Sequence, residues 1–190
     1  MTTIVVVRKG DRAAIAADSL TTFGSTRLAP AYDRSPHKII AYRDSFIGVA
    51  GSAAHQLVLE NLLGRNPDLA LHGKEAIYES FRRLHPLLKD EAFLNPKEEE
   101  DDPYESSQMT VMIANPSGIF AVYSMREVFE FDRFWAIGSG RNFALGAMHA
   151  AYDTALTAQQ IAEAGVAAGI EFDTASGPPI VSHVVPLARS

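Results

Sequence analysis

The chain has 190 residues, no cysteine and a formal net charge of −6. That length suits one domain spanning residues 1–190, with enough chain to bury a sizeable core. Apolar content of 47 % and charged content of 21 % fit a soluble globular protein; the missing cysteine excludes disulfide scaffolds, thiolate metal sites and cysteine nucleophiles, and the acidic balance argues against a general nucleic-acid binder. Met1 precedes Thr2-Thr3-Ile4-Val5-Val6-Val7, which reads as a strand. Removal of Met1 would leave a threonine with a free α-amine. One residue would then carry a nucleophilic hydroxyl and, in an amine of reference pKa roughly 8, a base to take its proton. With Met1 attached, the Thr2 nitrogen is an amide and cannot serve.

Lys9-Gly10-Asp11 is a turn signal, and 12–17 reads as a second strand. A hairpin centred on Gly10 sets Thr2 opposite Asp18, with cross-strand Cβ atoms about 5 Å apart. A second hairpin runs from 38–42 through Arg43-Asp44 into 45–51, bringing Lys38 level with residues 49–51. A lysine beside Ile39 and Ile40 on a buried sheet needs a partner, because an unpaired charge is expensive to bury. Asp18 would supply one.

Residues 53–65 read as a helix with apolar Leu57, Leu59, Leu62 and Leu63, ended by Asn66-Pro67. Residues 74–93 read as a second helix, with a break expected near Pro86. Residues 97–105 form an acidic, proline-containing connection. Strands at 108–114 and 119–124 flank the turn Asn115-Pro116-Ser117-Gly118, and 127–132 and 134–137 add strand material. An alanine-rich helix over 142–155 follows. Thr157 and Gln160 have the spacing of a capping box opening a helix to about residue 169, and 180–187 is a final strand. Strands, two helices, strands, two helices, strand: such an order can bury every apolar face as two packed antiparallel sheets with a helix pair outside each, though periodicity alone also allows other α+β domains.

Other constellations fail. Gly138-Ser139-Gly140 lacks the third glycine of a dinucleotide fingerprint, since Phe143 stands there. There is no Walker lysine motif and no Gly-x-Ser-x-Gly elbow. The six histidines have no metal-ligand spacing and read as surface or packing residues; no cofactor or metal is expected. The run Glu98 to Asp102 reads as a solvated loop. The start of the chain has no signal-peptide pattern, and no run approaches a membrane span.

Thr2-Thr3-Ile4-Val5, Ala17-Asp18, Lys38-Ile39, Ala50-Gly51, Ile137-Gly138-Ser139-Gly140 and Asp173-Thr174-Ala175-Ser176-Gly177 occur in that order. Across nearly the whole chain, this resembles the proteasome β-type subunits, threonine peptidases of the N-terminal nucleophile hydrolase superfamily. The opening stretch and Ile15-Ala16-x-Asp18 resemble HslV, and the Asp173-x-x-Ser176-Gly177 ending resembles the true β subunit. The mixture points to the proteobacterial proteasome homologue branch.

The resemblance implies an α+β fold, the four-layer αββα sandwich, in a cytoplasmic hydrolase. It implies Thr2 as nucleophile, Lys38 as the cation that lowers its hydroxyl pKa, and Asp18 as the partner that orients Lys38. It makes the Gly51 N–H an oxyanion donor, puts Ser139, Asp173 and Ser176 around the terminal amine, and sets Val49 and Ala53 beside the substrate side-chain pocket. It further implies a homo-oligomer of stacked heptameric or hexameric rings, peptide or unfolded-protein substrates and an ATP-driven unfoldase partner. Two alternatives stay open: a ring-forming scaffold without catalysis, and a small-molecule amidase on the same sandwich.

Overall fold

The computed structural model describes residues 2–97 and 101–188. Met1 and Glu98 to Glu100 of the acidic run lie outside them. The strands are β1 (Thr3–Lys9), β2 (Arg12–Ala17), β3 (Thr21–Phe23), β4 (Thr26–Leu28), β5 (Ile39–Tyr42) and β6 (Ser45–Ala50). Helices α1 (Ala53–Arg65) and α2 (Lys74–Asp90) follow. Next come β7 (Thr110–Asn115), β8 (Gly118–Val122), β9 (Val128–Phe131) and β10 (Phe134–Gly138), then α3 (Arg141–Tyr152), α4 (Ala158–Phe172) and β11 (Val181–Pro186).

Two large antiparallel sheets result, in the orders β10-β1-β2-β11 and β5-β6-β7-β8-β9, beside the two-stranded β3-β4. Period-two alternation sorts each central strand between two apolar layers. In β1, Ile4 and Val6 face the other sheet, while Val5 and Val7 face α3 and α4. In β7, Met112 and Ala114 join that inter-sheet layer, while Val111 and Ile113 meet Leu59, Leu84 and their neighbours on α1 and α2. The four layers are therefore α1–α2, sheet, sheet, α3–α4, the αββα sandwich. Gly48 lets the sheets approach: a Cβ there would lie 2.7 Å from Ile4 Cγ2.

Most local signals act as read. Thr157 with Gln160 forms the capping box of α4 and Asn66 ends α1, while α1 starts on an N-cap that the sequence reading does not name, Ser52. Four differences have physical causes. The first hairpin turns through the pair Gly10-Asp11, so Ile4 pairs with Ala17 and Thr3, not Thr2, lies level with Asp18. Pro86 does not break α2, which runs through it to Asp90. The carbonyl deprived of its donor belongs to Arg82, an exposed residue where water can replace the bond. Leu57 is 70 % exposed rather than packed. The short β3–β4 hairpin forms where the sequence predicts no element. Among the described residues, no helix is long and apolar enough to cross a membrane.

Candidate active site

Thr2 and Asp18 are both buried. Thr2 Oγ1 donates to Asp18 Oδ1 at 2.6 Å, and Lys38 Nζ reaches the same Oδ1 at 2.8 Å and Thr2 Oγ1 at 3.0 Å. The hydroxyl thus sits between an ammonium donor and a carboxylate acceptor. Asp18 does more than pair. Its Oδ1 also accepts from Thr3 N at 3.0 Å, and its Oδ2 accepts from Leu20 N at 3.1 Å and Gly177 N at 3.0 Å. One carboxylate therefore ties the first strand, its own turn and the C-terminal segment together. Burial lowers the Lys38 pKa from the ordinary 10.5, while the charge and hydrogen bond of Asp18, and then the charge of Asp173, oppose that shift.

A second network lies behind Thr2. Ser139 Oγ and Ser176 Oγ both donate to Asp173 Oδ2 at 2.7 Å. Since the Ser176 proton goes to Asp173, the 2.7 Å contact between Thr3 Oγ1 and Ser176 Oγ is donated by Thr3. Ser139 Oγ also lies 3.4 Å from Thr2 O. Glycines make the room. At Gly138, with φ +90°, a Cβ would strike Thr2 O; at Gly140 and Gly169 it would strike Thr3 Oγ1. The Gly-Ser-Gly motif is thus a steric seat for the head of β1 rather than a phosphate loop.

Thr2 opens into a cleft of about 600 Å³ lined by Lys38, Val49, Gly51 and Ala53. The other wall includes Thr21 and Thr22 of β3, which sequence reasoning missed because three-residue strands carry too little alternation to register. Leu57 is exposed because it lines this cleft. Thr3 and Gly177 also join the site through their backbone N–H groups, which donate to Asp18. His55, grouped with the other histidines, instead accepts the Ser52 N–H on Nδ1 at 3.1 Å. The signal was its place three residues after the N-cap serine. His85 makes a 3.0 Å contact with Glu105, and His183 stacks on Phe46 at 4.3 Å. Among the described residues no group of three or more acidic or histidine side chains could hold a metal.

The sandwich, with the family to which the chain belongs, makes it a threonine peptidase of the N-terminal nucleophile hydrolase class. The chain belongs to the proteasome subunit family, whose sequence pattern matches residues 1–177. It is 29 % identical over 166 residues to the ATP-dependent protease subunit HslV of Bartonella quintana, covering 85 % of this chain and 77 % of that one. It is 40 % identical to Thiobacillus denitrificans BPH, with a TM-score of 0.93 over 99 % of this chain and all of that one. The same protein in complex with epoxomicin matches at 40 % identity and TM-score 0.92, covering 98 % of this chain and 100 % of that one. The fold is shared by HslV from Trypanosoma brucei, at 22 % identity and TM-score 0.73 over 97 % of this chain and 99 % of that one.

Proposed function

We propose that the chain, freed of Met1, is the catalytic subunit of a self-compartmentalising protease with Thr2 as nucleophile. The observation that carries this is the convergence of Lys38 Nζ and Asp18 Oδ1 on Thr2 Oγ1. Thr2 Oγ attacks the peptide carbonyl as its α-amine takes the hydroxyl proton. The amine then gives that proton to the leaving nitrogen, and water, deprotonated by the amine, cleaves the acyl ester and regenerates the threonine. Lys38 stabilises negative charge growing on Oγ, and Asp18 holds Lys38 charged and in place. The Gly51 N–H donates to the oxyanion, while Ser139, Asp173 and Ser176 hold and relay the amine proton. Val49 and Ala53 give the cleft an apolar floor for a small or hydrophobic residue before the cut.

Substrates on this reading are peptides and unfolded proteins. Relatives named as ATP-dependent protease subunits support an ATP-driven unfoldase partner and stacked rings of this chain, seven-membered by the true-proteasome character of the Asp173 segment or six-membered by the HslV character of the start. The absence of cysteine suits a reducing cytoplasm. The test is hydrolysis of fluorogenic peptides by protein whose mature mass lacks Met1, alongside light scattering. We expect turnover from a double-ring particle. Turnover from a stable monomer would replace this reading with an amidase. An inert double ring, with or without an unfoldase, would replace it with a scaffold.

A further inference from the structure

The loop that carries Gly51 is held by an unusual cap. In the capping box of α1 the Ser52 side chain accepts a backbone N–H, and the residue three positions on returns the favour to the Ser52 N–H. That second position ordinarily carries glutamate or glutamine. Here it is His55. Because an N–H donates to Nδ1, that nitrogen must be unprotonated, so the neutral ring carries its proton on Nε2. The same nitrogen packs on the glycine: a Cβ at Gly51 would lie 2.8 Å from it, and 3.2 Å from Gln108 O. With φ +156° and a flexible glycine backbone, Gly51 depends on its surroundings for a fixed orientation. Strand β6 fixes it from the amide side, and the His55 bond fixes the Gly51–Ser52 peptide from the carbonyl side.

We propose that His55 is a positioning residue whose neutral ring holds the oxyanion loop in register, and that its protonation releases the loop. The inference rests on the reading of Gly51 as the oxyanion donor. Protonated Nδ1 is a donor facing a donor, so the bond to Ser52 N cannot survive. Burial holds the His55 pKa below the ordinary 6.5, with no charged neighbour contributing. Gln108 and Met109, which lie against Gly51, carry no ionisable side chain. Lys38 is engaged by Asp18, and His37 meets α1 through its carbonyl, which accepts from Gln56. Glu60 is exposed on α1, more than a turn further along. The sign is therefore set by the ring alone. A depressed histidine contributes fully above its ordinary value, and the contribution is lost as pH falls through the folded one.

The test uses the assembled protein freed of Met1. Hydrogen–deuterium exchange of the amides at 52–56 is measured at pH 7.5 and at pH 5, each corrected for the intrinsic rate. The parent is expected to lose protection by about tenfold on acidification. His55→Gln, which keeps an acceptor without titrating, should stay protected at both pH values, and His55→Ala should be unprotected at both. In peptide hydrolysis at pH 7.5, His55→Ala should lower kcat about tenfold with KM within twofold, less than deletion of a whole oxyanion donor costs, and His55→Gln should restore most of that loss. PH-independent protection in the parent, a His55→Gln variant that titrates like the parent, or wild-type kcat in His55→Ala would overturn the proposal. If the parent hydrolyses nothing, the peptidase reading fails by itself, and the exchange series still decides the cap.

Discussion

Lys38→Ala is expected to lower kcat for peptide hydrolysis by roughly a thousandfold while KM moves only a few-fold. The ammonium lies 3.0 Å from Thr2 Oγ1, where charge would develop on the proposed attack by that hydroxyl. A preorganised cation at that place strengthens its interaction as the transition state forms, so its loss falls on kcat; removing one such group typically costs about 10²–10³. Its side chain is mostly buried, at 12 % exposure, so bulk water cannot supply an equivalent positive field. Lys38→Arg should not rescue, because a larger planar guanidinium spreads its charge and does not concentrate it at the point the compact ammonium occupies beside Thr2 Oγ1. Steady-state kinetics on processed protein check this. A Lys38→Ala enzyme within tenfold of the parent would remove the cation from the mechanism.

Asp18→Ala is expected to cost more stability than any other single change at the site, about 3–5 kcal/mol. The carboxylate accepts from three backbone amides, Thr3, Leu20 and Gly177, as well as from Thr2 Oγ1 and Lys38. Its removal strands a mostly buried ammonium and leaves three amides without acceptors. Asp18→Asn should be nearly as harmful, since its NH₂ would face donors. Lys38→Ala should be milder, because the carboxylate keeps its four other donors. At about 2–4 °C per kcal/mol for a chain of this size, thermal unfolding at matched protein concentration should show a fall of about 10 °C for Asp18→Ala. A fall under about 2 °C would mean that the carboxylate contributes little to holding the two chain ends together.

Much of this was legible because the segments involved are strongly patterned. The β5–β6 register follows from Arg43-Asp44 as a two-residue turn, and Ile39 does lie opposite Gly48. The β1–β2 register slips by one position because both Gly10 and Asp11 occupy the turn. Asp18 still reaches Thr2, since its carboxylate extends past its own strand partner. What stayed hidden depends on packing between distant segments. Nothing in the sequence announces that Asp18 takes the Gly177 amide, or that Gly169 of α4 makes room for the Thr3 side chain. The Asp173 and Ser176 positions were readable only through resemblance. His55 had a local signal, and was missed because a histidine at that capping position is uncommon.

On the proposed mechanism Thr2, with a free amine, is the nucleophile. The most direct test is the intact mass of assembled, Met1-free protein after incubation with epoxomicin. An epoxyketone closes two bonds, one with the threonine hydroxyl and one with the α-amine, and an acylated nitrogen has no lone pair available for the second. One inhibitor per subunit is expected, mapped to Thr2, with no such adduct in Thr2→Ala or in any form that retains Met1. An adduct that persists in Thr2→Ala, or its absence from processed and assembled parent protein, would contradict that mechanism.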